Sequence, residues 1–144
     1  MMESMQINFV AVLVATVANF FVGYAWYTPL FGKAWAKENG FDRSVKPAGG
    51  AFAKGLIMNI IGNLFMAYVF ASNSMAWSFV PGIGEMSLPL QVFNAVFFTW
   101  LGFYLPVDLN TVAWEQKSWT LFAINTGYHF VTLLVAGLIL LLWN

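Results

Sequence analysis

The chain has 144 residues, enough for a single domain over 1–144, and is 60% hydrophobic with only 8% charged side chains. A water-facing domain carries about 25% charged residues, so this surface is not built for water and a bilayer must solvate much of it. The formal net charge is zero and Cys is absent, which removes a basic nucleic-acid stripe, disulfides and thiol chemistry from consideration. With one His and few carboxylates, no metal site or other cofactor is expected either.

A helix needs about 20 apolar residues to cross the hydrocarbon core, because only intrahelical bonds satisfy its backbone there. In chain order, the first such stretch is residues 7–27. It carries no basic leader and no small-residue cleavage pattern, so it reads as a span rather than a signal peptide. It ends in Trp26–Trp35, "WYTPLFGKAW". Pro29 lacks an N–H and disfavours helix at Thr28, so the helix is expected to stop there. Trp26, Tyr27 and Trp35 suit the headgroup layer, with Lys33 and Lys37 reaching lipid phosphate. A short surface helix is expected between Lys33 and Glu38, stopped at Asn39-Gly40. "KPAGG", Lys46–Gly50, reads as a flexible link.

The second span is placed at 55–71 and is short. Trp77 and Phe79 belong at the far interface, before a Pro81-Gly82 turn. The third span is placed at 88–107 and the fourth at 119–143, with Trp114 and Trp119 flanking the loop between them. Runs such as "LLVAGLILLLW" do not alternate in polarity, which argues against strands. The expected fold is therefore all-α, a polytopic transmembrane four-helix bundle. All six Lys and Arg residues fall in loops 28–54 and 108–118, which share one side of a four-span protein. The positive-inside rule makes that side cytoplasmic and puts both termini on the other. A bacterial inner membrane is the expected location.

Polar residues recur on helical faces inside these spans. Gly55, Asn59, Gly62, Asn63 and Met66 share one face of span two; Asn125, His129, Thr132 and Ala136 share one of span four. Asn8, Val12, Ala15, Asn19 and Gly23 do so in span one, while Gln91, Asn94, Thr99 and Tyr104 align less cleanly in span three. Lipid cannot hydrogen-bond an amide, so these stripes are expected to face one another. At about 1.5 Å per residue, Asn19, Asn63 and Thr99 lie roughly 12–14 Å from the cytoplasmic ends, bracketed by Asn125 and His129. One polar layer of Asn19, Asn59, Asn63, Thr99, Asn125 and His129 is therefore expected, with Tyr24, Tyr104 and Tyr128 within reach.

Such a layer holds helices together through amides and small residues, or it holds a small uncharged solute. His129 is expected to be neutral and to donate to a neighbouring helix. Asp108, two residues past Pro106, is read as a solvated loop carboxylate near Lys117 or Lys33. Its position near a membrane mouth also admits a general acid, with Glu115 and His129 as further proton-transfer groups. Glu3, Glu38, Asp42 and Glu85 read as solvated charges. No phosphate loop, nucleophile elbow or dinucleotide fingerprint is present, and no catalytic residue is assigned.

"WYTPLFGKAW" and "WEQKSWTLFAINTGYHFV" resemble the bacterial membrane family catalogued as domain of unknown function 1761, and the resemblance covers most of the chain. It implies a small four-span membrane protein and supplies no activity, substrate or catalytic residue. The combined expectation is a non-enzymatic membrane protein that binds or passes a small uncharged solute, or serves as a structural subunit. A membrane-embedded enzyme acting on a lipid-like substrate is the alternative. The expected partners are the lipid bilayer, further copies of the chain as a homo-oligomer and another membrane protein, with no nucleic acid.

Overall fold

The computed structural model describes residues 6–143, and its regular structure is helical throughout. Helix α1 spans Phe9–Ala25 and runs into a π-helical turn, Trp26–Leu30; α2 spans Gly32–Asn39 and α3 spans Gly49–Ser78. Helix α4, Leu88–Thr99, passes through a second π turn, Trp100–Tyr104, into α5, Leu105–Ala113, and α6 closes the chain at Trp119–Leu142. Four continuous stretches are long and apolar enough to cross a membrane: Phe9–Leu30, Gly49–Ser78, Leu88–Ala113 and Trp119–Leu142.

Two boundaries differ from the sequence expectation, for identifiable reasons. Span one does not stop at Thr28. Pro29 sits inside the π turn, where the Phe31 N–H donates to Trp26 O at 2.8 Å. Widening the turn to an i→i−5 bond absorbs the proline that an ordinary helical turn excludes. The second π turn does the same ahead of Pro106, with the Leu105 N–H on Trp100 O. The chain thus uses one device twice, beside Tyr27-Thr28-Pro29 and Tyr104-Leu105-Pro106. Span two is 30 residues long, far beyond 55–71. Its helix begins inside "KPAGG" and continues past polar Ser72 to end at Ser78; the hydroxyls of these two serines fold back onto the carbonyls of Tyr68 and Met75.

The surface helix α2 forms where expected. It ends at Gly40, whose φ of 71° allows the left-handed cap, with the Phe41 N–H on Ala36 O. Gly32 is required at its start: a Cβ there would lie 2.3 Å from Tyr27 O. In the following loop the Ser44 hydroxyl and N–H both donate to Asp42, holding its carboxyl below the usual carboxylate range.

Helix α6 is the hub, packing against α1 on one side and α4 and α5 on the other, while α3 leans on α1 and α6. In the core, Ala11 and Ala15 of α1, Ala67 of α3 and Ala136 of α6 let backbones approach, and Val12, Phe70, Val92, Val96, Leu133 and Leu140 fill the space between them. At Gly137 an added Cβ would come within 2.8 Å of Val96 Cγ2, so α6 needs glycine to meet α4. Asn8 joins chain start to chain end, capping α1 at the Ala11 N–H and donating to Trp143 O at 3.1 Å. Helices α3 and α4 barely touch and leave a cleft between them. The first half of α3, residues 49–62, is exposed throughout.

Candidate functional site

The chemistry gathers in the half of the bundle nearer the cationic loops. Two tryptophans set its geometry. Each opens a π turn and each indole N–H donates to a carbonyl of α6: Trp26 Nε1 to Ile124 O at 3.0 Å, Trp100 Nε1 to Thr126 O at 2.9 Å. A buried indole N–H needs such a partner, so the two spans are keyed to α6 from opposite sides.

Between them lies a carboxylate–imidazole pair. Continuation of span three through Pro106 brings Asp108 into the first turn of α5 and turns it inward, where it is only 5% exposed. His129 Nδ1 lies 2.7 Å from Asp108 Oδ2, while the imidazole retains 29% of its surface. With the carboxylate accepting, Nδ1 donates, which leaves Nε2 as the edge available to another molecule. Asp108 is therefore not the solvated loop carboxylate expected from sequence, and among the described residues its side-chain partner is His129, not Lys117 or Lys33. The difference arises because the helix does not stop at residue 107 but continues to Ala113.

Aromatic rings wall this pair. The Tyr104 ring lies 4.9 Å and the Tyr128 ring 5.6 Å from the imidazole, centroid to centroid. Tyr27 stands edge-on to Tyr128 at 5.0 Å and donates its hydroxyl to Asn125 Oδ1 at 2.8 Å. Gly23 makes room for Tyr128, since a Cβ would lie 3.1 Å from its hydroxyl. Asn125 and His129 are four residues apart and so share one face of α6. The result is a cluster of amide, imidazole, carboxylate and phenols, with two separate hydrogen-bonded pairs, Tyr27–Asn125 and His129–Asp108, joined by ring contacts.

The expected single polar layer is divided. Asn125 and His129 lie in this cluster. Asn19, fully buried, donates to Thr132 O at 3.0 Å, and its Oδ1 has no partner among the described residues. Asn63 turns back on its own helix, donating to Asn59 O and Oδ1, and Asn59 is exposed. Thr99 faces the cleft between α3 and α4. Asn19 and Asn63 are buried and Asn125 and His129 partly so, but α3 leans outward and carries Gly55, Asn59 and Gly62, of the same expected stripe as Asn63, away from the bundle. Tyr24 points out at 64% exposure, and Glu115 is exposed beyond α5. Tyr27, assigned to the headgroups from sequence, belongs to the cluster. The signal for it was present: it extends the Asn19–Gly23 face of α1 by one more step of four residues.

Fold and site together define a small helical integral membrane protein with four spans and a His–Asp pair between them. The chain belongs to the family described as Protein of unknown function (DUF1761), which it matches over residues 10–141. It matches no curated protein and no solved structure.

Proposed function

We propose that this membrane protein binds a small, uncharged, hydrogen-bonding solute at the Asn125–His129 face of α6. The observation that carries the reading is the pair Asp108–His129 at 2.7 Å. A carboxylate that fixes an imidazole and leaves its second nitrogen open preorganises a recognition edge, and the Asn125 amide beside it adds donors. Intramembrane ionisable groups mark ligand or proton pathways more often than they serve packing. We assign this site to the cytoplasmic half of the membrane protein, a reading the positive-inside rule supports. The close-packed apolar core of Val12, Val96 and Leu133 lies beyond it, so the reading is binding, with passage requiring the helices to part.

The test is saturation-transfer NMR on the protein in nanodiscs, screened against small amides, polyols and sugars. A solute that binds wild type and is lost in both Asn125→Leu and His129→Phe supports the site. A solute that binds all three variants equally, or no binding across the panel, defeats it.

One observation favours a second reading, a membrane-embedded acid–base enzyme on a lipid-like substrate. Asp108 is buried and orients His129 as a carboxylate orients a catalytic base. Exposed Glu115 falls outside that site, which reduces the earlier trio to Asp108 and His129. Mass spectrometry of membrane lipids incubated with wild type and with Asp108→Asn separates the readings: only an enzyme produces a lipid mass change that the variant abolishes.

A further inference from the structure

The cleft between α3 and α4 lies in the other half of the molecule, away from the cationic loops, and encloses about 480 Å³. That falls within the roughly 300–1,000 Å³ of small-molecule sites. Its two ends differ in chemistry. The deeper end is walled by Phe70, Phe98 and Phe103. The end near the α3–α4 connection carries Asn73, Gln91 and Asn94, under a roof that includes Met86.

Those amides are already half committed. Gln91 Nε2 donates to Met86 O at 2.7 Å, and Asn94 Nδ2 donates to Leu90 O at 3.0 Å. Their N–H groups hold the roof and the helix, and the carbonyl oxygens remain to accept. The polar end therefore offers hydrogen-bond acceptors at interfacial depth, with aromatic surface one acyl segment deeper. None of the six Lys and Arg residues lies at this end: Lys33, Lys37, Arg43 and Lys46 precede α3, Lys54 lies in its second turn, and Lys117 follows α5. An anionic headgroup has no counterion here, whereas a donor-bearing one is matched. A second transmembrane helix fits poorly, because it would bring an apolar surface against three amides.

We propose that this cleft is a lipid site, which takes one acyl chain against Phe98 and Phe103 and a hydrogen-bond-donating, uncharged or zwitterionic headgroup against Asn73, Gln91 and Asn94. The cleft opens sideways to the bilayer because α3 and α4 barely touch, so a lipid enters without leaving the membrane. This inference is independent of the solute site at His129.

The experiment uses the full chain in nanodiscs doped with phosphatidylethanolamine or phosphatidylcholine that carries a diazirine in the acyl chain. Cross-linked residues are mapped by mass spectrometry. Phosphatidylethanolamine, whose ammonium donates, should label the Phe98–Phe103 peptide at least threefold more than phosphatidylcholine, which has no donor. It should also label that peptide more than the lipid-facing Val17 of α1, which is exposed to a similar degree as Phe98. Asn73→Leu, an exposed and fold-neutral change, should remove the preference between lipids. Ala95→Phe, which fills the cleft, should remove the labelling itself. Equal labelling by both lipids, or labelling no stronger than at Val17, overturns the proposal.

Discussion

Asp108 shows how one backbone feature changes the meaning of a side chain. Two residues after a proline it reads as a loop acid, but the π turn ahead of Pro106 lets the helix continue and rotates the carboxylate onto His129. Its hydrogen bond should fix the imidazole tautomer. Imidazole ¹⁵N shifts should therefore report Nδ1 protonation in wild type and a move toward the Nε2–H tautomer in Asp108→Leu. An unchanged spectrum would mean that the 2.7 Å contact does not persist in the bilayer. Asn19 makes the opposite case. Its bond to Thr132 O is worth about 0.6 kcal/mol on average for such interhelical contacts. Its buried, unpartnered Oδ1 costs about 1–3 kcal/mol. Asn19→Leu, close in volume, should leave thermal stability in detergent unchanged or raised. A loss of more than about 2 kcal/mol would reveal a water bound at Oδ1. At this scale the sequence disclosed the helical faces that hold Asn19, Asn125 and His129, because periodicity reports faces. It did not disclose that Asp108 meets His129, because that depends on a turn geometry no residue pattern announced.

The elements were legible where apolar runs are unbroken and misjudged where a proline or a polar residue interrupts them. Span four and the α2 stop at Gly40 fall where composition and cap chemistry put them. Span one outlasts Pro29 and span two outlasts Ser72, since in a membrane a helix conserves its hydrogen bonds by widening a turn or folding a hydroxyl back onto the backbone. Two glycines hold the element contacts and give direct tests. Gly32→Ala puts a methyl 2.3 Å from the Tyr27 carbonyl, so the π turn and α2 must separate. It should cost at least about 2 kcal/mol and weaken the Tyr27–Asn125 bond. Gly137→Ala meets Val96 Cγ2 at 2.8 Å, a side-chain methyl that yields more readily, and should cost about 1 kcal/mol. Unfolding of both variants in mixed micelles, followed by near-ultraviolet circular dichroism, ranks them; the reverse order would show that α4 and α6 fit more tightly than α2 and its turn.

In the whole molecule, charge and polarity are divided between the two ends. Lys33, Lys37, Arg43, Lys46, Lys54 and Lys117 lie on α2, on the first turns of α3 and in the connections at one end of the bundle. Single cysteines at positions 43 and 85 should be labelled from opposite faces of the cell membrane, with position 43 cytoplasmic; labelling from the same face would overturn the four-span topology. The exposed first half of α3 presents Gly55, Asn59 and Gly62 outward. An amide facing hydrocarbon favours a protein partner over lipid. The expectation of a homo-oligomer is accordingly kept as a proposal, located on this face. Native mass spectrometry in mild detergent should show a multimer for wild type and a shift toward monomer for Asn59→Leu. Monomer alone in wild type removes the proposal.

Helix α3 is also out of scale with its surroundings. Thirty residues at about 1.5 Å each make a rod of about 45 Å, against a hydrocarbon slab about 30 Å thick. Such a rod cannot stand upright and wholly submerged; it tilts, or its ends emerge. It is anchored at only a few buried positions, Asn63, Ala67 and Phe70, near its middle and far end. These act as a fulcrum, so acyl-chain length sets the angle of the lever. Spin labels at positions 58 and 21 should draw apart or close as nanodisc lipids are lengthened from 14 to 18 carbons, on the order of a few ångströms by this geometry. A protein with no obvious moving part would then carry a gauge of membrane thickness in its longest helix.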